Sequence, residues 1–235
     1  HFNRFGHTVI MALIQLGGLG IVTYSSLFMF LWRKRVSLTD RLSVGRALLH
    51  DPSFDLGRFL SIIVVVTMIL EALGGMIIAL SAPELSFFSV TFLAISSFCN
   101  AGFTLMPDNL AAYRSNLGIN LAVAALVTCG GIGFAVLEDL LWLVRCKFKK
   151  IRYRLAFTSR VIITTSMLLT FGGAAIIFVL ERLAQHDYGG LKANILAAFF
   201  QSVSCRTAGF NTIHIAGMST AALAFMILLM FIGGS

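Results

Sequence analysis

Five apolar runs in this chain are each about as long as a membrane-spanning helix. Crossing about 30 Å of hydrocarbon takes roughly 20 helical residues, and a helix is the open segment that satisfies its own backbone in lipid. The composition, with 58% apolar and 12% charged residues, also lies far from that of soluble domains. The sequence therefore predicts an all-α integral membrane protein with spans over residues 7–32, 59–80, 117–144, 161–183 and 218–235.

Two further apolar runs, residues 86–98 and 192–204, are too short to cross. Runs of this length suit buried or re-entrant helices, and the irregular backbone that follows them has to be buried in protein or line water. The first run leads into "CNAGFTL" and the second into "CRTAGFNTI". The sequence therefore predicts two re-entrant helices, each followed by a loop that contains Ala-Gly-Phe.

Basic residues are concentrated in two loops between the predicted spans, which together hold 13 of the 18 Lys and Arg residues. An excess of Lys and Arg marks cytoplasmic loops, so both loops are predicted inside and the re-entrant helices open outside. The net charge of +8 is explained by this topology, without a nucleic-acid partner. The loop residues are Arg33, Lys34, Arg35, Arg41, Arg46 and Arg58 in the first, and Arg145, Lys147, Lys149, Lys150, Arg152, Arg154 and Arg160 in the second.

The chain also repeats itself. The stretches "LIQLGGLGIV", "LVTCGGIGFA" and "ILLMFIGGS" each place a Gly-Gly pair in a helix predicted to descend inward. Small residues in membrane helices usually permit close packing. The order of helix, short helix, Ala-Gly-Phe and Gly-Gly helix begins at residue 59 and again at residue 161. The chain is therefore expected to begin partway through one repeat and to stop partway through another.

These motifs resemble the Trk/Ktr/HKT superfamily of potassium transporters, and specifically the bacterial Ktr/Trk membrane (pore) subunit, over nearly the whole chain. The resemblance implies tandem potassium-channel-like units, each with an outer helix, a re-entrant pore helix, a filter loop and an inner helix. Residues 1–35 then form the first unit's inner helix, 59–144 the second unit and 161–235 a truncated third unit. Residues 36–58 and 145–160 are the cytoplasmic loops.

The chemistry of the two loops is predicted from their backbone. Rings of carbonyl oxygens replace the hydration shell of potassium in filters, and glycine permits the dihedrals that aim successive carbonyls at one axis. The pore helices would also point their negative C-terminal ends at the ion. The carbonyls of Asn100, Ala101 and Gly102, and of Thr207, Ala208 and Gly209, are the predicted ion ligands. Phe103 and Phe210 are expected to support the filter by packing.

Further roles come from the resemblance alone. It implies that Arg206 supports the filter, and that Gly233, Gly234 and Ser235 begin a gate beneath it. It also implies a plasma-membrane protein that transports K⁺, forms a homodimer and binds a cytoplasmic nucleotide-binding regulatory subunit. The lipid bilayer is a further predicted partner and nucleic acid is not, and K⁺ is the transported ion rather than a cofactor.

Several alternatives stay open at the level of sequence. A sodium-selective or sodium-coupled relative is one, because the first filter is not in this chain, and a non-conducting membrane scaffold or sensor is another. No arrangement of catalytic residues or metal ligands stands out, so no enzyme or cofactor is predicted. The four cysteines are expected to be free thiols. Glu71, inside a predicted span, is either a functional carboxyl or a structural one with a helix partner.

Overall fold

The computed structural model describes residues 3–18, 56–151, 153–206 and 208–233, with side chains from residue 61 onward in the second range. Several sequence predictions therefore lie outside the described residues. These are the second half of the first span, most of the first basic loop, the side chain of Arg152, the ligand Thr207, and two of the three predicted gate residues, Gly234 and Ser235.

The described residues fold entirely as helices, turns and loops, which confirms the all-α prediction. Two single turns of 3₁₀-helix lie in the loops, at Ala111–Tyr113 and Ile215–Gly217. The α-helices are α1 (Arg4–Gly18), α2 (Leu56–Ser81), α3 (Phe87–Phe98), α4 (Leu117–Gly131), α5 (Phe134–Phe148), α6 (Phe157–Leu183), α7 (Leu191–Ser204) and α8 (Thr220–Gly233).

Helices α2 and α6 are long and apolar enough to cross a membrane, over Ser61–Ser81 and Phe157–Leu183, as predicted. The span predicted over residues 117–144 is wrong as a single helix, because α4 and α5 meet at an angle of 106°. Gly133 separates them with a φ of +85°, a left-handed backbone that glycine adopts without a Cβ penalty. The described part of the chain thus has two spanning helices, or three if the bent pair is one span.

The two short helices that the sequence predicts to be re-entrant are present, at Phe87–Phe98 and Leu191–Ser204. Helix α3 begins after Ser86, whose side chain accepts a hydrogen bond from the Ser89 N–H, so the serine satisfies one of the free donors of the first turn. Helix α7 begins after Gly190, which has a φ of +93°. Both helices are too short to span a bilayer.

The loop that leads into α7 is held by Asp187. Its Oδ1 accepts hydrogen bonds from the Gly190 N–H (2.7 Å), the Gly189 N–H (3.0 Å) and Asn194 Nδ2 (3.0 Å). These donors favour the ionised carboxylate, so the Gly190 and Gly189 N–H groups and the Asn194 amide hold the pKa of Asp187 below its usual range. The carboxylate therefore fixes the turn from which the second re-entrant helix starts.

The helices pack in two groups. Helices α2, α3 and α4 contact one another around a core that includes Ile78, Leu93 and Val123, all at most 1% exposed. Helix α6 contacts α7 and α8 around a second core that includes Ile177 and Ala222. A contact between α4 and α7 joins the groups. The two re-entrant helices are consequently held in one packed body.

Helix α1 lies against α3, and its side chain contacts reach α2. Gln15 Nε2 donates to Glu71 Oε2 at 3.2 Å, and Glu71 is only 7% exposed. Glu71 therefore has the helix partner that the structural interpretation requires. The four cysteines, Cys99, Cys129, Cys146 and Cys205, are all free, as predicted.

Candidate ion-binding site

The loops that follow the two re-entrant helices come together at their glycines. A Cβ on Gly102 would lie 2.5 Å from the Ala208 carbonyl oxygen and 3.1 Å from the Gly209 Cα. A Cβ on Gly209 would lie 3.5 Å from the Gly102 Cα. The two Ala-Gly-Phe stretches, 107 residues apart in sequence, are thus direct neighbours in space.

Both glycines have the unusual backbone that the sequence predicts, with φ of +72° at Gly102 and +78° at Gly209. Asn100 is also left-handed, with a φ of +52°, a conformation that asparagine adopts more readily than most residues. Only glycine reaches such dihedrals without strain. The loop that follows α3 therefore contains two left-handed residues, Asn100 and Gly102, separated by Ala101.

The N–H groups of the loops turn back onto the re-entrant helices. The Ala101 N–H donates to the Ser96 carbonyl at 2.9 Å, and the Ala208 N–H donates to the Ser204 carbonyl at 3.0 Å. A side chain also accepts from the loop, since the Phe103 N–H donates to Ser96 Oγ at 3.0 Å. The loops are consequently anchored through their donors.

The carbonyl groups of the same residues have no such partners. In the described part of the chain, the carbonyl oxygens accept no hydrogen bond at Asn100, Ala101, Gly102, Ala208 and Gly209. Ala208 is buried, Asn100, Ala101 and Gly102 are half-buried, and Gly209 is exposed. These carbonyls, which lie beside two helix C-termini, therefore form a site with spare acceptor capacity. Oxygen ligands of this kind, together with the negative end of the helix dipole, suit a cation.

The two phenylalanines behave differently. Phe210 is completely buried in the first core, and its carbonyl accepts a hydrogen bond from Ser204 Oγ at 2.5 Å. Phe103 is 59% exposed, so the described residues cover less than half of its surface, and its support of the filter stays a prediction.

Each Gly-Gly pair has one member at the base of a loop. A side chain on Gly18 would overlap Cys99 Sγ, and one on Gly130 would overlap the Phe98 carbonyl oxygen. A Cβ on Gly233 would lie 3.1 Å from Arg206 Cγ. The close packing predicted for Gly17, Gly18, Gly130 and Gly131 is present at Gly18 and Gly130. By contrast, no described atom lies within 4 Å of a Cβ on Gly17, and a Cβ on Gly131 would make an ordinary 3.5 Å contact.

The Asn100 side chain connects the loop that follows α3 to the bend between α4 and α5. With the amide oriented to satisfy both groups, its nitrogen donates to the Val127 carbonyl at 3.3 Å and its oxygen accepts from the Gly131 N–H at 3.2 Å. Gly131 is the last residue of α4. Sequence reasoning assigned only the Asn100 carbonyl and missed this bridge. An asparagine two residues before a left-handed glycine was the available signal.

Arg206 lies at the end of α7, half-buried, and its Nη2 donates to Ser166 Oγ on α6 at 2.9 Å. The structure thus brings together Asn100, Ala101, Gly102, Ala208 and Gly209, with Arg206 and Gly233 adjacent to the third-unit loop. Among the residues that the structure describes, no three His, Cys, Asp or Glu side chains lie close enough to hold a metal ion.

Two short helices that end in neighbouring loops, packed against helices long and apolar enough to cross a membrane, define the class as an all-helical membrane protein. Residues 1–235 match the family model TrkH, described as "Cation transport protein". The chain therefore belongs to this family of cation transporters. The match confirms the predicted superfamily and the prediction that the chain is not an enzyme.

Named relatives agree with the family. The chain is 34% identical to the Ktr system potassium uptake protein B of Bacillus subtilis, over 99% of this chain and 52% of that protein. It is 34% identical to the Potassium/sodium uptake protein NtpJ of Enterococcus hirae, over 100% of this chain and 52% of that protein. It is 32% identical to the Ktr system potassium uptake protein B of Vibrio alginolyticus, over 99% of this chain and 52% of that protein. The chain spans about half the length of these relatives.

Proposed function

We propose that this chain supplies two neighbouring filter loops of a pathway that carries K⁺ across the plasma membrane. The observation that carries the proposal is the contact between Gly102 and Gly209, in loops where five successive or facing carbonyls accept no hydrogen bond from the described residues. These are the carbonyls of Asn100, Ala101, Gly102, Ala208 and Gly209. Dehydrating K⁺ requires several carbonyls around one axis. Two loops of a ring, held side by side by their re-entrant helices, meet part of that requirement.

The ion preference of the pathway is K⁺ in the main proposal, in line with the names of the Bacillus and Vibrio relatives. The name of the Enterococcus relative includes sodium as well as potassium. A sodium-permeable or sodium-coupled pathway is therefore the second candidate function.

The proposed arrangement places residues 1–35 in the first unit, 59–144 in the second and 161–235 in the third, with residues 36–58 and 145–160 in the cytoplasm. The family resemblance supports a gate at residues 233–235 and a homodimer. The word "system" in the relatives' names supports a further regulatory component, which we propose to be a cytoplasmic nucleotide-binding subunit.

The second basic loop is the proposed contact surface for that subunit. It has an ordered anchor, because Tyr153 Oη donates to Asp139 Oδ1 at 2.5 Å and the Ala156 N–H donates to Asp139 Oδ2 at 2.9 Å. Asp139 lies on α5 and is 8% exposed. A force applied to this loop would thus reach the helix that follows the bend in the inner helix.

The experiment uses a chimera in which this chain replaces the matching segment of the B. subtilis Ktr system potassium uptake protein B. Potassium and sodium uptake are measured in cells that lack other potassium uptake systems, and are normalised to chimera in the membrane. We expect Gly102→Ser and Gly209→Ser to lower the ratio of K⁺ to Na⁺ uptake. A Cβ at either position strains a left-handed backbone, and a Cβ on Gly102 also comes too close to the Ala208 carbonyl oxygen.

Gly172→Ser is the matched control, because a Cβ at this helical glycine meets no described atom within 4 Å. An unchanged uptake ratio in both loop variants, at normal membrane levels, would contradict the filter assignment. A chimera that carries Na⁺ as fast as K⁺ before any substitution would favour the second candidate. A chimera that reaches the membrane and carries neither ion would favour a non-conducting scaffold.

A further inference from the structure

The loop of the third unit is one residue longer than that of the second, and the additional residue is Arg206. Gly102 is the fourth residue after the end of α3, whereas Gly209 is the fifth after the end of α7. The two glycines still meet. The extra residue is therefore accommodated before Ala208, where the Arg206 N–H continues the helical turn by donating to the Val203 carbonyl at 3.1 Å.

The side chain of Arg206 contacts both other helices of its group. Its Nη2 donates to Ser166 Oγ on α6 at 2.9 Å, and Ser166 is only 7% exposed. Its aliphatic stem lies next to Gly233, the last residue of α8. A Cβ added to Gly233 would lie 3.1 Å from Arg206 Cγ and 3.8 Å from Arg206 Cα and Cβ. Arg206 thus stands between the loop, α6 and the end of α8.

The guanidinium of Arg206 has fewer partners than its burial demands. Its Nε is buried without a hydrogen-bond acceptor, and in the described ranges no carboxylate lies within salt-bridge distance. A partly buried charge with few partners is costly. The C-terminal end of α7 lies beside this residue, and its negative dipole end offsets part of that cost. The position of the guanidinium is therefore linked to the position of that helix end.

We infer that Arg206 is a positioning residue that couples the end of α8 to the third-unit filter loop. Displacement of Gly233 moves the stem of Arg206, and because Arg206 directly precedes Thr207, Ala208 and Gly209, the loop carbonyls move with it. The hydrogen bond to Ser166 holds the guanidinium end of the side chain in place while the stem moves. The second unit shows the same principle with a different side chain, since the Asn100 amide joins its loop to the Gly131 end of α4. The inference rests on the proposed function of these loops as a filter.

The test is a pair of double-mutant cycles in the chimera, read as the ratio of K⁺ to Na⁺ uptake per molecule in the membrane. We expect Arg206→Met, which keeps an aliphatic stem, to lower the ratio about tenfold, as for a loss of roughly 1.4 kcal/mol from a hydrogen bond with a charged donor. Ser166→Ala should lower the ratio on its own but have no further effect in the Arg206→Met background.

The second cycle tests the contact with the end of α8. Gly233→Ala should lower the ratio while Arg206 is present, because the new methyl group displaces Cγ. In the Arg206→Ala background, which has no Cγ, Gly233→Ala should have little effect. Lys192→Met is the control for charge, since it removes an exposed cation from the other end of the same re-entrant helix. Its uptake ratio should equal that of the parent chimera.

Independent, additive effects in both cycles, or an unchanged ratio in Ser166→Ala and Gly233→Ala, would overturn the inference. These two milder variants decide the matter even if Arg206→Met fails to reach the membrane. Gly209→Ser is measured in parallel. If it changes the ratio while the cycles are additive, the coupling is wrong and the filter assignment stands. If no variant changes the ratio, the filter assignment and the coupling both fail.

Discussion

Alanine at Gly102 and alanine at Gly209 should have unequal effects, although the two residues occupy the same place in the repeat. Both have a left-handed backbone, with φ of +72° and +78°, and a non-glycine residue in that conformation costs roughly 1–2 kcal/mol. This strain is common to both variants, so any difference between them comes from the surroundings of the new methyl group.

Those surroundings differ sharply. The methyl group of Gly209→Ala would make an ordinary contact, 3.5 Å from the Gly102 Cα. The methyl group of Gly102→Ala would lie 2.5 Å from the Ala208 carbonyl oxygen and 3.1 Å from the Gly209 Cα. Real Cβ contacts at 2.5 Å are essentially absent, and the obstacle is backbone rather than a flexible side chain. The loop at Gly209 therefore has to move in the Gly102 variant.

We expect Gly209→Ala to reduce K⁺ uptake of the chimera by about tenfold, the equivalent of roughly 1.4 kcal/mol, with some selectivity retained. Gly102→Ala should reduce uptake at least another tenfold, because loop displacement adds to backbone strain. Initial uptake rates, normalised to membrane protein, make the comparison, with Gly172→Ala as the control. Equal losses, or a larger loss at Gly209, would refute the described arrangement of the two loops.

Three further expectations concern the surrounding scaffold. Gly130→Ala should abolish uptake or membrane accumulation of the chimera, because the methyl group overlaps the Phe98 carbonyl oxygen. Gly131→Ala should be tolerated, and similar losses in both variants would contradict the contact at Gly130. Asp187→Asn should lower the thermal stability of the purified chimera near neutral pH, and the difference should shrink as the pH falls through the lowered pKa of Asp187, because the carboxylate stabilises the fold only while ionised; a constant difference down to pH values well below about 3.9 would refute this. An impermeant thiol reagent applied to intact cells should modify a cysteine at Asp108 but not one at Lys149, both exposed, and the reverse pattern would overturn the proposed orientation.

The re-entrant helices could be predicted from sequence because their determinants are local. A polar cap at Ser86 and the Gly189-Gly190 pair stand immediately before apolar runs of 12 and 14 helical residues. Length alone then separates them from the spanning helices. The left-handed backbone of Gly102 and Gly209 was predictable for a similar reason, since few residues other than glycine suit it.

The bend between α4 and α5 was not predicted, because the residues at the bend are as apolar as those of a continuous spanning helix. The residues around the break are Gly131, Ile132, Gly133 and Phe134, all compatible with an apolar span. The break depends on backbone conformation at Gly133 and on hydrogen bonds from the Asn100 amide to groups near the end of α4. The second of these is a contact between residues about 30 positions apart, which a pattern of local hydropathy cannot contain.

Sequence also identifies Gly-Gly pairs without showing which glycine is needed. The close contact is made by the second glycine of the first pair, Gly18, and by the first glycine of the next pair, Gly130. The neighbour also differs, because Gly18 faces the Cys99 thiol and Gly130 faces the Phe98 carbonyl. At both positions a helix approaches the base of a loop too closely for a side chain, whereas at Gly233 a methyl group would only displace the Arg206 stem slightly.

The repeated units are therefore alike in plan but not interchangeable in detail. In the loop after α3 the Asn100 amide reaches the end of α4, where Gly130 leaves no space for a Cβ. In the loop after α7 a different side chain, Arg206, contacts Ser166 on α6 and lies close to Gly233 on α8. If these loops form a filter, as we propose, movement of α4 would act first on the carbonyls near Asn100, and movement of α8 would act first on those that follow Arg206. The proposed filter carbonyls would then be unequal ligands, because each loop is positioned by a different helix contact.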